Sequence, residues 1–205
     1  MNKNAVSKAT LSRLPQYLRY INGVSCENIS ATTIAKDLSL GEVQVRKDLN
    51  AVSGAGKPKT GYITQDLKKR LESYLGYHQL TFAVLVGAGN LGRALLEYDG
   101  FEEYGVKIAA AFDNNTQCLK CSKNTSEILP MKDFEYFCKN HNIRIGIITV
   151  GEGSAQTVCD EMIKCGITAI WNFAPCKLRV PKGTLLQHEN LALSLAHLNN
   201  QLYNL

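Results

Sequence analysis

An apolar run, Phe82-Ala83-Val84-Leu85-Val86, leads directly into Gly87-Ala88-Gly89-Asn90-Leu91-Gly92, and a helix-forming stretch, Arg93-Ala94-Leu95-Leu96-Glu97-Tyr98, follows. Asp113 comes twenty-one residues after Gly92, at the end of a second apolar run, Val106 to Phe112. A lone Gly-x-Gly-x-x-Gly hexapeptide is weak evidence. The complete strand–glycines–helix–strand–acid unit is the dinucleotide-binding signature. Gly87 permits the tight turn, Gly89 lets the backbone approach a pyrophosphate, and Gly92 permits close helix–strand packing. A helix starting near Asn90 aims free N–H groups at phosphates. Asp113 can accept hydrogen bonds from ribose hydroxyls and repels a 2′-phosphate, so NAD(H) is expected over NADP(H). The alternative is a glycine turn that only packs, with Asp113 an ordinary strand-end residue.

The charge of the chain is unevenly placed. Residues 1–62 hold nine Lys/Arg against four Asp/Glu, while residues 63–205 hold fourteen of each. All the excess positive charge therefore lies in the N-terminal third, which suits a polyanion partner or a basic solvated face. The pattern there predicts a helix over 13–22, with Pro15 in its first turn, and a short helix from Ser30 as N-cap through Leu38. Ser39-Leu40-Gly41 is a turn, and a third helix spans 42–52. That helix buries Val45, Leu49 and Val52 and presents Val43, Arg46, Lys47 and Asn50. Two short helices across a glycine-containing turn, the second with a basic face, have helix-turn-helix geometry. The loop Ser53 to Tyr62, with Lys57 and Lys59, suits a wing on the DNA backbone. A further helix is expected over 64–76.

Beyond Phe82 strands alternate with helical runs. Strands are expected near 82–86, 106–112, 143–150, 167–173 and 184–188, and helices near 90–98, 131–141 and 154–165. The fold class is thus α/β: a winged helix-turn-helix over residues 1–78, then a Rossmann-type doubly wound parallel sheet over 79–189. Residues 114–130 form a polar loop around one short strand. Residues 190–205 form a C-terminal helix with Leu191, Leu195, Leu198 and Leu202 on one face, which must be buried on its own domain or on a partner.

A hydride-transfer enzyme adds an acid–base residue beside the nicotinamide. None of His78, His141, His188 and His197 falls at the end of a central strand. Those ends hold Thr149-Val150-Gly151-Glu152 and Asn172-Phe173-Ala174-Pro175, which are suited to holding a nicotinamide and poor at moving protons, except for Glu152, a lone loop carboxylate of the kind that usually faces solvent. Tyr98, Phe173, Ala174 and Pro175 form the candidate ring pocket, with Thr149, Val150 and Asn172 as further cofactor contacts. Cys118 and Cys121 form a Cys-x-x-Cys without a second pair, so no metal site is expected. The seven scattered cysteines fit a reducing cytoplasm. The first eight residues lack an apolar h-region and no stretch suits a membrane span, so neither secretion nor membrane insertion is expected.

Several motifs in order carry a resemblance: Val6 through Arg19, Gln44-Val45-Arg46-Lys47-Asp48-Leu49, Gly61-Tyr62, Gly87 through Leu95, Phe112-Asp113, Ala155-Gln156, Gly166-Ile167 and Asn172-Phe173-Ala174-Pro175. On these the chain resembles the Rex family of bacterial redox-sensing transcriptional repressors over nearly its whole length. The resemblance implies a homodimer with an exchanged C-terminal helix, bound to operators upstream of fermentative and respiratory genes when NADH is low and released by NADH. It also adds Arg13, Gln44, Gly61 and Tyr62 to Arg46, Lys47, Lys57 and Lys59 as DNA-contacting residues. Three places depart from the commoner family pattern. Asn50-Ala51-Val52-Ser53-Gly54 replaces a Tyr-Phe-Gly segment, and Asn114 to Cys121 replaces an acidic turn. Asn190 stands where an Asp often pairs with the Arg at position 19.

The resulting expectation is a non-enzymatic cytoplasmic repressor that senses the NADH/NAD+ ratio and binds an inverted-repeat operator as a homodimer. The alternatives are an NAD-dependent oxidoreductase with an accessory helical domain, against which the basic N-terminus and the missing catalytic histidine argue, and a CoA-binding Rossmann domain.

Overall fold

The computed structural model describes residues 6–77, 79–115 and 127–203. The chain divides into two compact units, Met1–Gln79 and Leu80–Leu205.

The first unit begins with α1 (Lys8–Asn22), β1 (Asn28–Ile29), α2 (Ala31–Asp37) and α3 (Glu42–Ser53). It continues through β2 (Tyr62–Ile63) to α4 (Thr64–Leu75). The start of α1 differs from expectation. Ser7 caps it by accepting the Thr10 amide at 3.1 Å, so the helix starts at Lys8 and Pro15 lies well inside it. The Leu11 carbonyl therefore lacks its usual donor, a loss tolerated because Leu11 is exposed and water can serve it. Ser30 caps α2 through the Thr33 amide at 3.0 Å, as its residue type predicts. The α2–α3 turn passes through Ser39 in a left-handed conformation. Leu14, Leu18, Ile21, Ile34, Val45, Leu49, Leu67 and Leu71 form the core, drawn from all four helices. Arg70 donates to the Ser53 carbonyl oxygen at 2.9 Å and so satisfies the C-terminal end of α3 from α4. The segment after α3 is a wing: β2 pairs antiparallel with β1, and Lys57 and Gly61 exchange both backbone hydrogen bonds around a turn with Lys59 at positive φ.

The second unit contains β3 (Thr81–Val86), α5 (Asn90–Leu96), β4 (Val106–Asp113), β5 (Ile128–Pro130) and α6 (Phe134–Asn140). Next come β6 (Ile145–Ile148), α7 (Glu152–Lys164), β7 (Ala169–Asn172), β8 (Leu185–His188) and α8 (Leu191–Leu202). Among the described residues the strands form one sheet in the order β5-β4-β3-β6-β7-β8, with every pair parallel. The order reverses between β3 and β6, the switch point of a doubly wound sheet. Alternation along β3 sends Val84 and Val86 to one face, packed with Phe134 and Cys138 of α6 and Cys159 and Met162 of α7. Ala83 and Leu85 face the other side with Leu96 of α5. The helix expected over 90–98 ends at Leu96 and is followed by a 3-10 helix over Asp99–Tyr104. The helix expected from 131 opens with a 3-10 turn over Met131–Asp133. The strands expected over 143–150 and 167–173 are shorter at both ends, although the Arg144 and Thr149 amides still donate to β3 and the Phe173 amide to β6.

The tail helix α8 has no buried residue. Leu191, Leu195, Leu198 and Leu202 are 62, 67, 55 and 65 % exposed, so their stripe is not covered within the chain. Among the described residues no helix is long and apolar enough to cross a membrane.

Candidate functional site

The glycine loop lies at the switch point, where β3 and β6 both end. Gly87 leaves the sheet at φ +107°, and a Cβ at Gly92 would overlap the Gly87 carbonyl oxygen. α5 can therefore start close to the strand only with glycine at 92. The Thr149 hydroxyl donates to the same Gly87 oxygen at 2.6 Å, locking the loop to the end of β6. The position a Cβ would occupy on Gly89 is open space, the condition needed for close approach by a ligand. No side chain caps the first turns of α5 or α7. Their leading N–H groups are thereby left for solvent or an anion.

Asp113 closes this arrangement. One carboxylate oxygen accepts the Ala88 amide at 2.6 Å and the other accepts the Asn115 amide at 2.8 Å. Gly87, Asp113, Asn114, Met131, Val150, Gly153, Ser154, Thr157 and Glu161 line a cleft of about 290 Å3 there. Met131, Ser154, Thr157 and Glu161 carry no sequence signal; they reach the cleft only because α7 and the start of α6 flank it.

The other residues assigned to the cofactor separate into two groups. Tyr98 is 59 % exposed and packs edge-on against Phe101, which meets Trp171; Phe173 lies on Trp171 at 4.5 Å between ring centroids. Asn172 was expected to hold the nicotinamide, and its side chain is fully buried. It accepts the Ala174 amide at 3.0 Å and donates to the Ala174 and Cys176 carbonyls. Its amide thus shapes the loop carrying Phe173, buried Ala174 and exposed Pro175. The same nitrogen lies 3.1 Å from His188 Nδ1, which must then be the acceptor. His141 stacks on Phe137 and His197 contacts Gln201, both away from the glycine loop. His78, Cys118 and Cys121 lie outside the described residues.

In the first unit, Arg46, Lys57, Lys59, Gly61 and Tyr62 line one cleft of about 420 Å3 between α3 and the wing, together with Ser30, Ala31 and Thr32 at the start of α2. The α2 residues were missed by sequence reasoning, although Ser30 was legible as a cap. A Cβ at Gly61 would overlap the Ile29 carbonyl oxygen, so glycine is needed there by the wing itself. Arg46 pairs with Glu42 one turn earlier and stays largely exposed; Lys47 is exposed beside it.

Arg13 and Gln44 belong to a network on the α1–α3 seam. Arg13 holds Asp48 through Nε at 2.7 Å and Nη2 at 2.9 Å. Thr10 and Tyr17 donate to the same carboxylate at 2.8 Å each. Burial opposes ionisation of Asp48, but the hydrogen bonds from Arg13, Thr10 and Tyr17 outweigh it and hold its carboxyl below the ordinary value. Burial, with the hydrogen bond to Asp48, pushes the Tyr17 hydroxyl up to about 12.

Residues 78–176 match the family described as CoA binding domain, and residues 5–50 match the one described as "Putative DNA-binding protein N-terminus". The redox-sensing transcriptional repressor Rex of Clostridioides difficile (strain 630) is 38% identical over 197 residues, which are 95% of this chain and 93% of that protein. The chain belongs to the Rex family. Members are redox-sensing transcriptional repressors rather than enzymes. A Rex of Porphyromonas gingivalis (strain W83) is 36% identical over 98% of this chain and 93% of its own length. The solved structure of RSP in complex with β-NAD+ and operator DNA matches with a TM-score of 0.90 at 31% identity, covering 98% of this chain and 94% of that one. The match to the Rex family over the whole length sets aside the oxidoreductase alternative. The CoA-binding description reflects the shared Rossmann variant.

Proposed function

We propose that this chain is a cytoplasmic homodimeric repressor that binds an inverted-repeat operator and is released from it by NADH. Residues 1–78 contact DNA, residues 79–189 bind NAD(H), and residues 190–205 exchange onto the partner subunit. The observation that carries this reading is the glycine loop: Gly89 open to a ligand, with Asp113 fixed beside it on the Ala88 amide. Gly87 to Gly92 would cradle the pyrophosphate, with Asp113 and the cleft beyond it taking the adenosine half. Thr149, Val150, Tyr98 and the Phe173-Ala174-Pro175 loop would take the nicotinamide, and Asn172 would set that loop. On DNA, Arg46 and Lys47 would enter the major groove while Lys57 and Lys59 follow the backbone.

NAD+ and NADH share every phosphate and ribose contact and differ at the ring, which is cationic in NAD+. Tyr98, Phe173, Ala174 and Pro175 offer no carboxylate to a buried cation, so closure over the ring selects NADH. A ligand shifts a two-state equilibrium only by its differential affinity for the states, and operator must weaken NADH binding by the same factor that NADH weakens operator binding. An operator gel shift titrated with each cofactor tests this. NADH should release the DNA, while NAD+ should bind, leave the complex intact and compete with NADH. Equal release by both would leave a generic NAD-binding regulator.

A further inference from the structure

Trp171 stands on β7 and meets two sets of neighbours. Its ring packs against Phe173 at 4.5 Å between centroids and edge-on against Phe101 at 5.8 Å. Phe101 in turn carries Tyr98 at 5.0 Å. Both aromatic members of the candidate ring pocket therefore rest on this one indole, Phe173 directly and Tyr98 through Phe101. The other end of Trp171 leads elsewhere. Its N–H donates to Glu189 Oε1 at 3.2 Å, and an indole has only that one donor and no acceptor. Gln187 donates to the same oxygen at 3.3 Å. The Glu189 backbone is fixed as well, because its amide donates to the Asn172 carbonyl at 2.8 Å. The next residue, Asn190, caps α8, and its carbonyl accepts the Ser194 amide at 3.0 Å. A run of direct contacts thus joins the ring pocket to the first turn of α8.

We propose that Trp171 and Glu189 are positioning residues that carry occupancy of the ring pocket to the root of α8, with the indole N–H as the link. The proposal rests on the binding mode proposed for this chain, in which the nicotinamide enters this pocket and α8 is shared between subunits. An indole held between Phe101 and Phe173 is close-packed, and close-packed side chains change place in discrete steps instead of yielding gradually. A ring that enters beside Phe173 shifts the stack on Trp171, and the indole can tilt only by straining or releasing its bond to Glu189. Glu189 is one residue from the cap of α8, so a change there alters how that helix leaves the sheet. Glu189 lines neither the Asp113 cleft nor the basic cleft of the first unit, so the link supplies coupling without supplying affinity. What it adds is a difference in NADH affinity between two arrangements of α8, the only quantity by which a ligand moves such an equilibrium.

Coupling is read as the factor by which saturating NADH weakens the affinity of the full chain for an inverted-repeat operator selected from a random DNA library. Glu189→Leu, a change at a half-buried position, removes the acceptor. It should lower that factor about fivefold. NADH affinity without DNA, operator affinity without NADH and the dimer should all stay as in wild type. Glu189→Gln keeps an acceptor oxygen for the indole and should keep the factor within about twofold of wild type. Trp171→Phe keeps a ring against Phe173 and loses the N–H. It should lower the factor as Glu189→Leu does, and combining the two should lower it no further. If Trp171→Phe fails to fold, the two Glu189 variants decide. A wild-type factor in Glu189→Leu overturns the proposal. An equal loss in Glu189→Gln also overturns it, by assigning the effect to charge. Loss of the dimer in Glu189→Leu does the same, by making the bond an anchor of α8 alone. A wild-type complex that NADH fails to release would instead overturn the redox-sensing reading beneath it.

Discussion

The carboxylate of Asp113 accepts the Ala88 amide across the mouth of the glycine loop at 2.6 Å. A residue expected only to face the ribose is therefore also part of the loop that would hold the phosphates. Asp113→Ala should weaken NADH by about 1.5–3 kcal/mol, the range for a hydrogen bond to a charged group. It should also narrow the preference over NADPH by removing the charge that repels a 2′-phosphate. Calorimetry with both reduced cofactors checks this. Unchanged NADH affinity would mean that Asp113 serves neither the loop nor the ribose.

Thr149 offers a cleaner separation of positioning from contact. Its hydroxyl is turned back onto the Gly87 carbonyl. Thr149→Val keeps the shape and removes the donor, so it should cost about 0.5–1.5 kcal/mol in NADH binding. Operator affinity without cofactor should stay at the wild-type value. An unchanged NADH isotherm would show that the latch does not shape the loop.

The basic residues of the helix–wing cleft should divide by salt dependence. Arg46→Ala should cost about 1–3 kcal/mol and relax base preference at one position. Lys57→Ala or Lys59→Ala should weaken binding evenly across sequences and reduce the slope of log affinity against log salt by about 1. Filter binding over a salt series distinguishes the two behaviours. Wild-type affinity for both Arg46→Ala and Lys47→Ala would rule out α3 as the recognition helix.

Asp48 makes the first unit acid-sensitive. Its carboxyl is held below the ordinary value in the folded state. Its contribution is therefore complete above the unfolded value of about 3.9 and is lost as pH falls through the folded value. Helix loss in an acid titration should thus include a step below about pH 4. Asp48→Asn should remove that step and lower neutral-pH stability by about 1.5–3 kcal/mol. The same acid limb in the variant would locate the proton uptake elsewhere.

The apolar stripe of α8 should be covered by a second copy. Leu195→Glu combined with Leu198→Glu places charges on that face, and sedimentation should then report monomers or aggregate in place of dimers. A stable dimer with a full NADH response would count against exchange of this helix.

The parts legible in the sequence were those set by local chemistry. Ser30 signals its helix by capping it, Gly76 closes α4 in a left-handed conformation, and β3 shows its burial as an unbroken apolar run. The glycine spacing correctly places the loop at the end of β3 because only certain backbone angles and approaches are possible there. Residues whose roles depend on distant partners were less legible. Asp48 and Arg13 are separated by thirty-five positions, and their pairing follows from how α1 crosses α3. Asn172 looked like a contact residue, yet its buried amide is engaged by Ala174, Cys176 and His188. Asn190, expected opposite Arg19 of the partner, has its oxygen engaged in capping α8 through the Leu193 amide at 2.8 Å. The second lone pair of that oxygen is what remains to meet a guanidinium donor.

The bare leucines of α8 also have a genetic meaning. Exchanged as proposed, this face would be shared with whatever copy is at hand, including a defective one. A chain crippled at Arg46 and Lys47 but intact in α8 would draw wild-type chains into mixed pairs with one working half. Such an allele should be dominant over wild type in the same cell, and truncating its last helix should make it recessive.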